Sequence, residues 1–173
     1  MIQKFISFTL IAAFLFSCKK EIPKEALTKE IAKIATVKSL NYEQLKPLLE
    51  KQDDKIYVVN FWATWCAPCV KELPYFEKIG AKYKSKNVEV LLVSLDFPKQ
   101  VSTKLIPFIN KNNIQSEVVL LDDFNEDIWI KAIDATWSGA LPATLIYHKN
   151  KRKFYEQTFD YETLENELKQ FLN

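Results

Sequence analysis

Apolar and polar positions alternate along this chain with two different periods. Residues 55–62, "KIYVVNFW", form a near-continuous apolar and β-branched run, the pattern of a strand covered on both faces. "VEVLLVSLD" (88–96) is a second buried strand and "EVVLL" (117–121) a shorter one. Between the strands the spacing becomes helical. A helix is predicted from about Cys66 to Tyr83, and "KQVSTKLIPFINKN" (99–112) puts Val101, Leu105, Phe108 and Ile109 on one face, interrupted by Pro107. "DDFNEDIWIKAI" (122–133) reads as a helix opened by Asp122 or Asp123. Upstream, weak alternation from Ile31 to Val37 predicts a strand. "NYEQLKPLLEKQ" (41–52) then spaces Leu45, Leu48 and Leu49 as a helix, with Pro47 near its start or kinking it. Downstream, "ATLIYHKNKRKFYEQTF" (143–159) reads as a hairpin turning at Asn150. "YETLENELKQFL" closes the chain as a helix with Tyr161, Leu164, Leu168 and Phe171 on its buried stripe. Strands alternating with helices, then a hairpin and a last helix, predict an α/β sandwich with a mixed central sheet flanked by helices.

The N-terminus changes the picture, because it sets the compartment. Lys4 is followed by an apolar run from Phe5 to Phe16. That is shorter than the roughly 20 residues a bilayer span needs, and it fits the apolar region of a secretory signal. The ending "LFSC" resembles a bacterial lipobox, in which the chain is cut before a cysteine that then carries lipid. The expected division is therefore a signal peptide at 1–17, a lipidated tether at 18–30 beginning with Cys18, and one domain at 31–173. A lipoprotein of this kind would carry more than one acyl chain, which stable anchoring requires. At 48% hydrophobic and 13% aromatic residues the chain can build a proper core. A net charge of +2 is too small to argue for nucleic acid or an anionic membrane surface, and "KNKRK" (149–153) reads as a solvated hairpin turn.

The cysteines narrow the chemistry. With Cys18 assigned to lipid, Cys66 and Cys69 are left as a lone pair in a compartment that permits disulfides. A structural zinc site wants four ligands, and copper wants a histidine or methionine as partner. The chain has one histidine, His148, read as exposed and silent, and one methionine, Met1. No metal is expected. A structural staple is a poor reading, because closing so small a loop removes little chain entropy. Redox chemistry is left.

A CxxC at the turn from strand to helix is a thioredoxin-like signature. The stretch "NFWATWCAPCVKELP" closely resembles the thioredoxin superfamily, and within it the TlpA/ResA-like branch of membrane-tethered thiol-disulfide reductases. The resemblance runs from about residue 31 to the end, strongest at 58–74 and at "WSGALPATLIY" (137–147). It implies a thioredoxin fold in which 97–134 holds an inserted helix and strand.

Cys66, at a helix N-terminus where the dipole favours an anion, is expected to be the attacking thiolate, and Cys69, one turn on, the resolving thiol. Pro68 is tolerated in the helix's first turn. Thioredoxins resemble one another in a buried aspartate six residues before the first cysteine; this chain has Asn60, which cannot titrate. Glu72 matches the glutamate that serves as acid or base in the TlpA/ResA-like branch, and burial would raise its pKa. Pro74 matches the proline that kinks this helix across the superfamily. The resemblance makes Pro142 cis and sets it facing the cysteines. Leu141 then offers its backbone to a partner peptide, and Trp65 forms part of the docking rim. Trp62 reads equally as core or rim.

The implied activity is reduction of envelope protein disulfides, with the Cys66–Cys69 pair in place of any cofactor. Implied partners are cysteine-containing envelope proteins, apocytochrome c among them, and a membrane electron donor. The domain would face the periplasm. A disulfide-donating oxidant would use the same site, but Ala67-Pro68 offers no cationic group to hold a thiolate. A thiol peroxidase would want a threonine where Ala63 stands and an arginine nearby, and the one arginine is Arg152. A non-enzymatic lipoprotein scaffold with a vestigial CxxC is the remaining alternative.

Overall fold

A computed structural model of the chain describes residues 37–172. The signal, the tether with Cys18 and nearly all of the strand predicted at 31–37 lie outside the described residues. The first strand within them is β1, Lys38–Leu40, followed by α1, Tyr42–Leu49. Asn41 caps α1 through its side chain, and Gln44 reciprocates in a capping box. Pro47 falls inside this helix, which ends two residues later, short of the predicted 52.

Next come β2 (Ile56–Trp62), α2 (Ala67–Tyr83) and β3 (Val88–Ser94). The predicted helix at 99–112 is three pieces: a 3₁₀ turn at Pro98–Gln100, a π turn at Val101–Leu105, and α3 at Ile106–Lys111. Pro107 has no N–H to continue an ordinary helical ladder, and the N–H of Ile106 bonds back to the Val101 carbonyl instead. β4 is Glu117–Leu121 and α4 is Glu126–Ile133. α4 therefore starts later than predicted, because Asp122 and Asp123 do not cap it. Asp122 accepts from the Ser39 hydroxyl, and Asp123 from the backbone N–H of Tyr42 and of Asn125. β5 (Ala143–His148) and β6 (Lys151–Tyr155) form the hairpin, its two-residue turn placing Lys149 at φ 53°. His148 is half-buried rather than exposed, since it still belongs to β5. α5, Tyr161–Lys169, is capped by the Asp160 side chain.

The sheet runs β1-β4-β3-β2-β5-β6. The first four strands are parallel, and β5 and β6 are antiparallel to their neighbours. β2 is central and buried along its whole length. Its alternation splits the core in two. Ile56, Val58 and Trp62 pack on one face with α2 and α5, while Tyr57, Val59 and Phe61 pack on the other with α1 and α4. Each fully buried large apolar side chain contributes about 1.5–3 kcal/mol. Asn60 lies on the α2 face of this strand, fully buried, and a buried amide needs partners to avoid a comparable cost.

Candidate active site

The turn between β2 and α2 carries the two cysteines. Cys66 is the N-cap of α2: its carbonyl accepts from Val70 N–H at 3.0 Å, and its Sγ accepts from Cys69 N–H at 3.4 Å. Cys66 and Cys69 are joined as a disulfide, with Cα atoms 5.3 Å apart. Cys66 keeps 6% of its surface exposed and Cys69 none, so a partner can reach only the first sulfur. Pro68 is exposed in the first turn, where a missing N–H costs nothing. Pro74 is exposed further along, and α2 runs through it unbroken.

One turn beyond Cys69, Glu72 is 1% exposed. Its Oε1 accepts from Asn60 Nδ2 at 2.9 Å and its Oε2 from the Phe159 backbone N–H at 2.8 Å. Burial pushes this carboxyl up to about 7, against the two hydrogen bonds, which favour the charged form. Asn60 Nδ2 also reaches Thr144 Oγ1 at 3.3 Å and the Ala143 carbonyl at 3.5 Å, while its Oδ1 accepts from nothing among the described residues. The amide therefore ties the glutamate on α2 to β2 and β5. Glu72 opens onto a cleft of about 610 Å³ lined also by Pro68, Lys71, Tyr75, Phe159 and Asp160.

Cys66 opens onto a different cleft, of about 720 Å³, walled by Trp65, Phe97, Phe124, Trp129 and Leu141 among others. Trp65 is well exposed and stands on its rim. Trp62 belongs to the core: it is fully buried, with its ring 5.4 Å from that of Phe108. The Leu141–Pro142 peptide is cis, Pro142 is buried and Leu141 is half-buried at the cleft wall. Arg152 is on β6 with its guanidinium on the Ile133 carbonyl, and it lines neither cleft.

Asp96 is a site residue that sequence reasoning missed. It is 2% exposed and accepts from the Thr64 N–H and hydroxyl and from the Ser94 hydroxyl, bracing the turn that leads to Cys66. The available signal was a carboxylate directly after the buried run of β3, at the strand end where parallel α/β sheets build their sites.

A central mixed sheet with a disulfide-bonded CxxC capping the helix after its middle strand defines a thioredoxin-fold protein. Comparison with known proteins agrees. The chain belongs to the AhpC/TSA family, whose model matches residues 29–152. The thiol-disulfide oxidoreductase ResA of Bacillus thuringiensis (strain Al Hakam) is 29% identical over 161 residues, covering 92% of this chain and 83% of its own. ResA of Oceanobacillus iheyensis is 41% identical over 73 residues, 36% of this chain and 38% of its own. Among solved structures, a thiol:disulfide interchange protein of the thioredoxin family from Chlorobium tepidum TLS superposes with a TM-score of 0.59. It is 18% identical and covers 74% of this chain and 85% of its own. A thioredoxin-related protein from Neisseria meningitidis serogroup B gives 0.59 at 24% identity, covering 69% and 87%.

Proposed function

We propose that this chain is a thiol-disulfide oxidoreductase working as a reductase of protein disulfides in the cell envelope. One observation carries the reading: of the two sulfurs, Cys66 caps a helix and faces a cleft, while Cys69 is sealed behind it. In the reduced protein, the Cys66 thiolate attacks a client disulfide, forming a mixed disulfide and releasing one client thiolate. Cys69 then gives its proton to the Glu72 carboxylate and attacks the Cys66 sulfur. The Cys66–client bond breaks, the Cys66–Cys69 bond forms, and the second client thiolate leaves to take up a proton. Two electrons pass to the client, and a membrane electron donor restores the dithiol. A carboxyl with a pKa near 7 suits this proton transfer at neutral pH. The roles follow: Cys66 as nucleophile, Cys69 as resolving thiol, Glu72 as acid and base, Asn60 as its positioning residue. Leu141, Pro142 and Trp65 receive the client, and Pro68 and Pro74 shape the helix.

The cysteine pair is the redox group, and no other cofactor is invoked. Residues 1–17 act as a signal and Cys18 carries lipid, so that the domain faces outward on a tether. Among the described residues no helix is long and apolar enough to cross a membrane. Apocytochrome c, as a cysteine-containing envelope protein, is one client compatible with this reading.

The testing experiment is the midpoint potential of the Cys66–Cys69 pair, equilibrated in glutathione and dithiothreitol buffers. A value near or below about −220 mV is expected for a reductase; a value near about −120 mV would make the protein a disulfide donor instead.

A further inference from the structure

We propose that the cleft beside Cys66 selects client segments carrying a lysine or arginine close to the cysteine. The inference rests on the reductase reading and adds the chemistry of the client to it.

The cleft, at about 720 Å³, has the size of a pocket that encloses several side chains. Its walls come from the loops that follow β2, β3 and β4 and from the segment before β5. Three aromatic side chains stand out on it: Trp65 is 57% exposed, Phe97 60% and Phe124 94%. Exposed rings of this kind, on separate loops around one sulfur, form a surface for an apolar partner segment.

Charge decides which segment. The charged residues lining the cleft are Asp96, Asp122, Asp123 and Glu126; no lysine or arginine lines it. Their hydrogen bonds come from neutral donors: Thr64 and Ser94 for Asp96, Ser39 for Asp122, and the backbone N–H of Tyr42 and Asn125 for Asp123. The two backbone donors, Tyr42 first, hold the Asp123 carboxyl below the usual carboxylate range, so it stays ionised. Among the described residues none of the four is ion-paired. The pairs that form lie elsewhere, on Asp54, Glu89, Glu165 and Glu167. A chain of net charge +2 thus keeps an uncompensated negative cleft beside its reactive sulfur. Low-dielectric walls focus such a field onto whatever enters.

A divalent cation is a poor occupant, because no three metal-ligating side chains converge among the described residues. An acidic segment would be repelled. A purely apolar segment would use the rings and leave the carboxylates without a cationic partner. A cationic side chain beside the cysteine uses both, and the exposed face of Trp65 adds a cation–π contact.

The test uses the full chain in its reduced form and three disulfide-bonded peptides that differ only in having lysine, glutamine or glutamate on either side of the cysteine. Hydroxyethyl disulfide is the neutral reference. Second-order reduction rates are measured by stopped flow, each divided by the rate with dithiothreitol to remove the peptide's own reactivity. At about 0.01 M salt the lysine peptide is expected to react about tenfold faster than the glutamate peptide, with the gap shrinking several-fold at about 1 M. The pair of substitutions Asp122→Asn and Glu126→Gln is expected to close most of that gap. Equal peptide rates alongside normal reduction of hydroxyethyl disulfide would overturn the selection while leaving the reductase intact. So would a gap that neither salt nor the substitutions change. Failure to reduce any of the disulfides would bring down both.

Discussion

At position 60 the side chain is an amide, and that choice governs what Glu72 can do. An amide donates to the carboxylate without competing for its proton, as an aspartate would. Asn60 therefore fixes the glutamate's orientation and offsets part of the burial that raises its affinity for protons. Unfolded, the Glu72 carboxyl titrates near 4.5; folded, near 7. Below pH 4.5 it is protonated in both states and stability is unaffected. As pH climbs to 7 the folded chain must retain a proton or bury a charge, so stability falls, by no more than about 3 kcal/mol. Glu72→Gln removes this dependence. Denaturant midpoints at pH 4 and pH 8 should show the variant gaining on the wild type as pH rises; a difference that does not vary with pH would mean Glu72 titrates as an exposed group. Asn60→Ala removes a donor that favours the carboxylate. The inflection in the pH profile of mixed-disulfide resolution should then move upward from about 7.

At the scale of elements, the site depends on contacts between the end of one strand and the turn after another. Asp96, just beyond β3, holds Thr64, just beyond β2. Asp96→Ala strands the Thr64 N–H and the Ser94 hydroxyl, at a cost of about 1–3 kcal/mol. It should also loosen the turn, visible as faster alkylation of Cys66 in the reduced protein; an unchanged alkylation rate would show that the turn holds itself. What could be read from sequence follows the range of the interactions. β2, β3, β4 and α2 were legible because their apolar periods are local, and the cysteine pair because its spacing is. The start of α4 was not. Asp122 and Asp123 resemble caps, but their partners Ser39 and Tyr42 lie some eighty residues away across the sheet. Phe97 and Phe124 gave no signal either, since two separate loops meet at one cleft only through the parallel order β4-β3-β2. Trp62 was ambiguous for the same reason: it could face core or rim until Phe108 was placed against it.

For the whole molecule, the reading as a lipid-tethered reductase makes a cellular prediction. Cys18→Ser should move the protein from the membrane fraction to the soluble envelope fraction while leaving disulfide reduction by Cys66 and Cys69 in solution unchanged. Retention in the membrane fraction would show that something besides lipid holds it.

The last strand of the sheet bears on behaviour at high local concentration. Among the described residues β6 ends the sheet, and Lys151, Arg152 and Lys153 stand exposed along it. A strand edge with open backbone groups is a template for unwanted pairing, and a row of like charges opposes the approach of a second such edge. Two copies brought together along β6 would set Lys151 and Arg152 against their counterparts, Lys153 being paired with Glu167. That repulsion opposes the stacking of sheets from neighbouring molecules into a polymer, and among the described residues the sheet stops at six strands.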